Sequence, residues 1–436
     1  MARRERESHA SHERLAQPRT HTLLAPRPTA KARTALRHTW PVHSASHPST
    51  RAAARATVAA GVCAALHVGK LAPAIPALQQ SLGMSLVQAG FLLSAVQLAG
   101  MGLGMALGAA GDHLGAKRSM VLGLLVLALA SAGGALAPTP AWLLLWRGVE
   151  GLGFLLVVLP GPGLLRALVA PEQLQRYLGF WSAYMPLATA LALLGGPGVI
   201  ALAGWRGWWW LAAALTLAMA AGLQLLLPAQ RASAHVPWRA RLRQTLAARG
   251  PWLAAACFAL YAMQWLAVIG FLPLIYTQAG VSGAATAWLT ASVAAINIVG
   301  NLAAGRLLQR GVAAATLLRC GYAGMALACV LAFTDIAAGA AWLRYLGVLA
   351  FSLVGGLIPA TLFTLALRVA PSESTLASTL GWMQQGSALG QFVGPPLLAW
   401  LALASGGWQA MAWLSAAAAL LALWLIPALA RAARAR

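Results

Sequence analysis

Acidic side chains are scarce in this chain, with 8 Asp and Glu against 31 Lys and Arg in 436 residues. So few carboxylates exclude the paired acid/base groups of most hydrolases and the oxygen-rich clusters that hold hard metal ions. Cysteine is rarer still, with 4 residues. Cys63, Cys257, Cys320 and Cys329 sit singly in apolar stretches without metal-ligand spacing, which excludes a disulfide framework and a zinc site. Charged residues of both signs make up only 9% of the chain, while 60% of residues are hydrophobic and the mean hydropathy is +0.72. A soluble domain of this size does not tolerate such values. No stretch outside the apolar runs is long enough to fold as a signalling domain, and no paired acid/base or metal-ligand cluster stands within them, so neither a sensor nor an enzyme is expected. Neither is a cofactor or a bound metal.

What the chain has instead is long apolar runs. A bilayer core of roughly 30 Å needs about 20 residues of helix, and hydropathy marks about twelve runs that long. Their approximate limits are residues 56–78, 87–109, 119–137, 141–165, 177–203, 207–228, 251–277, 284–304, 313–334, 341–368, 375–403 and 408–430. The predicted fold class is therefore an all-α membrane protein. The formal net charge of +23 looks like a nucleic-acid signal until it is mapped. Cations cluster in the first 55 residues, after Gly111, at Arg231 to Arg249, at Arg306 to Arg319 and at Arg431 to Arg436. If the helices alternate, these segments share one face, and the opposite loops carry almost none; only Arg206 breaks the pattern. That bias places both termini in the cytoplasm of a bacterial inner membrane and makes lipids, not nucleic acid, the basic residues' partner.

Residues 1–50 are rich in Arg, His, Pro, Ser and Thr, with no apolar period, and are expected to be a disordered basic tail. A lipid-touching tail, a transit peptide and a start placed too early remain open as readings. Residues 51–228 form the first expected bundle of six helices and 251–430 the second. Between them, residues 229–250 read as a cytoplasmic linker whose Arg239, Arg241, Arg243 and Arg249 lie near lipid phosphates. Residues 431–436 form a short basic tail.

The halves repeat each other at an offset near 200 residues. Arg147 pairs with Arg344, Pro160 with Pro359, and Val169-Ala-Pro171 with Val369-Ala-Pro371. Leu178-Gly-Phe-Trp matches Leu380-Gly-Trp-Met, Gly196-Pro197 matches Gly394-Pro395, and Gly204-Trp205 matches Gly407-Trp408. Such duplications build two rocking halves about a central site.

Between the second and third runs lies Gly108-Ala-Ala-Gly-Asp112-His113-Leu-Gly115-Ala-Lys117-Arg118, a dense charged turn at the headgroup level. It resembles the signature of the major facilitator superfamily, Gly-x-x-x-Asp-Arg/Lys-x-Gly-x-Arg/Lys-Arg/Lys, with His113 where a cation is usual. The resemblance extends over residues 55 to 430. It implies twelve transmembrane helices in two pseudo-symmetric six-helix bundles, and transport by alternating access. Gly108, Asp112, Gly115, Lys117 and Arg118 would form the gating motif, Asp112 latching the halves near residues 373–378.

Ionisable groups inside a span need a reason, because each costs about 2.5–3.5 kcal/mol at mid-helix. Lys70 is the sharpest case, since Lys31, Lys70 and Lys117 are the only lysines. Arg147 lands at a similar depth, and Glu150 lies one turn from it on the same face. In the resembled fold the first, fourth, seventh and tenth helices line the cavity, which would bring Lys70, Arg147, Glu150 and Arg344 together. Their surplus positive charge suits a small anionic solute; pairing within the bundle is the structural alternative. Glu150 is the one carboxylate within a span and the candidate proton carrier for a co-transported proton. His67, Gln97, Tyr184, Asn297, Asn301, Gln384 and Gln391 add neutral hydrogen bonds along the same cavity. Gln264, Trp265 and Gln385 are the candidate ligand contacts among such groups. Tyr184-Met-Pro186 and the Gly204-Trp-Arg206-Gly-Trp turn look like the cyanate-permease and nitrate/nitrite-like subgroup. The antiporter signature of the fifth helix is incomplete, with Ala183 and Ala192 for its upstream glycines. Efflux of lipophilic compounds is accordingly the second expectation. A monomer is expected to suffice.

Overall fold

The computed structural model describes residues 48–104, 115–227, 238–337 and 339–434. The basic tail to residue 47, Gly108, Asp112, residues 228–237 of the linker and residues 435–436 lie outside them. Among the described residues there is no strand. The first span is α1 (Pro48–Gly69), a 3-10 turn (Ala72–Ala74) and α2 (Ile75–Leu82). Pro73 and Pro76 interrupt it, because proline supplies no N–H to the turn before. The second span is α3 (Leu86–Ala95) and residues Leu98–Gly104 (α4), bent by 41°. Ser85 and Gln88 close a capping box at its start.

The first half continues through α5 (Ala116–Ala135), α6 (Pro140–Val158), α7 (Gly161–Leu168), α8 (Pro171–Ser182) and α9 (Tyr184–Leu226). At about 1.5 Å per residue α9 is twice as long as a bilayer is thick. Gly204 resolves this with φ 68° and ψ 174°, a conformation open to glycine, and splits α9 into two arms. The arms run back along α1. A Cβ on Gly69 would touch the Thr189 backbone in the first arm, while Trp208 Nε1 in the second donates to Lys70 O at 2.9 Å.

A short helix, α10 (Trp238–Ala247), precedes the second half and is tied to it by Thr245 Oγ1 and Ser378 Oγ, 2.6 Å apart. The second half is α11 (Arg249–Gln278), α12 (Gly283–Gln309), α13 (Ala314–Phe333), α14 (Ala341–Gly355), α15 (Leu357–Val369), α16 (Leu376–Ser405) and α17 (Ala410–Arg434). Ten described stretches are long and apolar enough to cross a membrane, and the bent α3–α4 pair makes eleven. Dividing α9 at Gly204 gives the expected twelve.

Glycines let backbones cross where helices must meet closely. In the first half a Cβ on Gly151 of α6 would collide with Val96 O. In the second, Cβ atoms on Gly300 of α12 and on Gly356, between α14 and α15, would collide with Leu353 O and Asn297 O. The outward faces are apolar, with Leu202, Trp413, Leu420 and Trp424 exposed, as a lipid-facing surface requires. The halves meet along two seams. One joins α3 and α4 to α16, where Gly90 abuts the Pro395–Pro396 backbone and Gln97 Nε2 donates to Gln391 Oε1 at 2.9 Å. The other joins α9 to α12 and borders an open pocket of about 270 Å³ lined by Pro73, Leu193, Pro197, Pro273 and Thr290.

Candidate functional site

Four ionisable side chains, His67, Lys70, Arg147 and Glu150, are each at most 1% exposed. They are the only buried Lys, Arg, His, Asp or Glu among the described residues. The break in the first span explains how they are held. α1 ends before Pro73, so carbonyls of its last turn lack intrahelical partners. Arg147 Nη1 donates to His67 O at 2.6 Å and Trp208 Nε1 to Lys70 O, filling two of these positions. Cations at a helix C-terminus are also favoured by its dipole.

Glu150 is the hub. Lys70 Nζ donates to its Oε1 at 2.5 Å, Arg147 Nη1 to its Oε2 at 2.5 Å, and His67 Nδ1 lies 3.2 Å from Oε1. Arg147 and Glu150 lie one turn apart on α6, so their pairing is local, whereas His67 on α1 and Lys70 just past its end reach across from the first span. Beyond the hub, Lys70 Nζ donates to Ser131 Oγ on α5 at 2.7 Å and sits 4.7 Å from the centre of the Trp209 ring. His67 Nε2 is 2.7 Å from Thr216 Oγ1 in the second arm of α9. Arg147 Nε donates to Leu92 O at 3.2 Å, while its Nη2 has no partner among the described residues. Two cations share one carboxylate, so the cluster carries one surplus positive charge with His67 neutral.

Lys70, Arg147 and Glu150 thus come together. Every partner named for them belongs to the first half, however, so the cluster is enclosed in that bundle and does not line the chamber between the halves as expected. Arg344 does not join them. It is exposed, with Nη2 3.4 Å from Thr334 O. α14 begins at Ala341 and α6 at Pro140, so Arg344 sits about one turn shallower in its helix than Arg147. Gln264 and Trp265 are buried inside the second half. Gln264 Oε1 accepts from Ser415 Oγ at 2.6 Å and Trp265 Nε1 reaches Ser352 Oγ at 3.4 Å. Gln385 lies at the seam, donating from Nε2 to Met101 O at 3.1 Å, with Oε1 unpartnered among the described residues.

In the charged turn, Gly115 has φ 76° and opens α5. Lys117 Nζ donates to Gln224 O (2.8 Å) and Leu227 O (2.5 Å), capping the end of α9, and Arg118 is exposed. Ser131, Trp209 and Thr216 escaped sequence reasoning. The repeat offset held a signal for Thr216, since it pairs with Ser415 as His67 pairs with Gln264.

The fold and site define an all-helical polytopic membrane protein of two six-helix halves. The model of the Major Facilitator Superfamily matches residues 57–377 and 254–435, and the chain belongs to that family. Its fold is similar to a bacterial homolog of the human lysosomal transporter Spinster in an inward-facing, unoccupied conformation. The TM-score is 0.72 at 15% identity, covering 89% of this chain and 98% of that one. The occupied, inward-facing form of that homolog gives a TM-score of 0.68 at 16% identity, over 89% and 96% of the two chains. In sequence the chain is similar to the tetracenomycin C resistance and export protein of Streptomyces glaucescens, 30% identical over 40% of this chain and 32% of that protein. It is also similar to the puromycin resistance protein of Streptomyces alboniger, 29% identical over 35% of this chain and 31% of that protein. The methylenomycin A resistance protein of Streptomyces coelicolor is 33% identical over 33% of this chain and 31% of its own length. The match spans about a third of each of these relatives.

Proposed function

We propose that this chain is a secondary transporter of a bacterial inner membrane, with cytoplasmic termini, that exports a neutral or lipophilic small solute in exchange for protons. The observation that carries this reading is that, among the described residues, all buried charge is confined to one cluster inside the first half. No Lys, Arg, His, Asp or Glu is buried in the described residues of the second half, where Tyr261, Asn297, Asn301 and Ser352 form a neutral network. A chamber between such halves offers amides, hydroxyls and rings to its solute, while the sealed ions are placed to handle protons. The names of the relatives, resistance and export proteins, support the same class. The incomplete antiporter signature weighs less once packing is considered. Ala192 replaces a glycine, but Gly69 on the facing helix supplies the missing room.

An anionic solute, as in the cyanate and nitrate/nitrite permeases, is the second reading. It is favoured by the surplus positive charge and by the unpartnered Arg147 Nη2. Everted membrane vesicles separate the two. Under an imposed proton gradient, labelled puromycin should accumulate and an uncoupler should abolish accumulation. Uptake of nitrate or cyanate in its place would favour the anion reading; uncoupler-resistant puromycin accumulation would end proton exchange.

A further inference from the structure

The hydrogens of the buried cluster can be accounted for one at a time. Thr216 gives its single hydroxyl hydrogen to Ala212 O at 2.7 Å, so toward His67 Nε2 it can only accept. That places the N–H of a neutral imidazole on Nε2 and leaves Nδ1 bare. Ser131 likewise gives its hydrogen to Trp209 O at 2.8 Å and accepts from Lys70. The three hydrogens of the Lys70 ammonium then go to Ser131 Oγ, Glu150 Oε1 and, at 3.3 Å, His67 Nδ1. Arg147 Nη1 completes the carboxylate. The count closes with Lys70 and Arg147 charged, Glu150 ionised and His67 neutral.

We propose that the exchangeable proton of this cluster is held by Lys70 and passes through His67 Nδ1, with Glu150 ionised throughout as the fixed counter-charge. The proposal rests on the proton-exchange reading above and identifies its carrier. Protonating Glu150 would strand two cations in a dry site, and an arginine does not give up its proton. Losing the Lys70 proton has the opposite consequence, because it removes the surplus charge and leaves a neutral Arg147–Glu150 pair. In the transfer, one Nζ–H bond breaks and an Nδ1–H bond forms, which keeps the total charge unchanged. The new imidazolium N–H faces Glu150 Oε1, 3.2 Å away. Water admitted when the halves reopen takes that proton as hydronium and restores neutral His67.

The titratable groups facing Lys70 are neutral His67 on its own span and the charged Arg147 and Glu150 on α6. α5 and α9 present Ser131 and Trp209, which do not titrate there. Cys63 touches only the far side, through Thr216 Oγ1 at 3.5 Å. The matched pair in the second half, Gln264 and Ser415, has neither an amine nor an imidazole and cannot carry a proton this way.

The full chain contains three lysines, Lys31, Lys70 and Lys117, so nitrogen-15 labelling of lysine gives a readable spectrum. The labelled protein is placed in lipid nanodiscs without solute. Loss of one signal in Lys70→Gln assigns it; should that variant fail to fold, Lys31→Gln and Lys117→Gln assign it by elimination. The proposal expects Lys70 Nζ to pass between ammonium and amine over the pH range in which puromycin export responds. A carbon-13 label on Glu150 should report carboxylate across that range. His67→Gln, which copies the amide of Gln264, should slow puromycin-driven proton exchange at least ten-fold, roughly 1.4 kcal/mol in barrier. A Lys70 that stays ammonium, or a Glu150 that protonates, while export remains proton-driven overturns the carrier and leaves the exchange reading standing. Export that ignores the proton gradient overturns both.

Discussion

On the first half's inner helix, His67 of α1 meets Thr216 near the last span's centre; about 200 residues later, Gln264 of α11 meets Ser415 of α17. The crossings match as well. Gly151 admits Val96 O on one side, and Gly300 and Gly356 admit Leu353 O and Asn297 O on the other. The frame is duplicated while the chemistry has diverged. In one half the inner polar contact is wired to Lys70, Arg147 and Glu150, and in the other it stays neutral. A neutral pair leaves little behind when cut. An ionised cluster leaves an uncompensated charge in a site without water, so its members depend on one another.

The sharpest way to break this comparison is to remove the hub. Glu150→Ala should destabilise the protein by about 3–5 kcal/mol, read as a fall in unfolding temperature and in protein recovered from membranes. A variant as stable as the parent would mean that the cluster is solvated. Next come the duplicated crossings, which should behave alike. Gly151→Ala and Gly300→Ala should each cost about 1–3 kcal/mol through overpacking, and a large difference in thermal unfolding between them would show that the frames are not equivalent. Lys70→Gln should leave a folded protein but cut proton-driven puromycin accumulation in vesicles about ten-fold or more, near 1.4 kcal/mol. Smallest is Ser415→Ala, which removes only neutral hydrogen bonds, to Gln264 and Cys329, and should cost about 1 kcal/mol. A loss in unfolding free energy as large as that of Glu150→Ala would erase the contrast between the halves.

Much of this was legible in the sequence because bilayers penalise charge. Lys70, Arg147 and Glu150 stand out in apolar runs, and the structure joins them. Gly204 was visible as the Gly-Trp landmark and turns α9 between its two arms. The neutral members, Ser131, Trp209 and Thr216, were not legible, since hydroxyls and rings are ordinary in membrane helices. Arg344 was misplaced because an offset fixes register along the chain but not the depth at which a helix begins. Gln264 and Trp265 were expected to face the ligand and instead lie within their own bundle. A helix apolar on all sides carries no periodicity to tell the seam from the interior.

The most direct test is to count protons against solute. Full-length protein in lightly buffered proteoliposomes, loaded with puromycin and a pH-indicating dye, should move about one proton inward for each puromycin outward, the counter-transport expected of two halves rocking about a coupled site. Lys70→Gln should abolish the proton signal. Puromycin leaving at the wild-type rate with no proton movement would contradict the account.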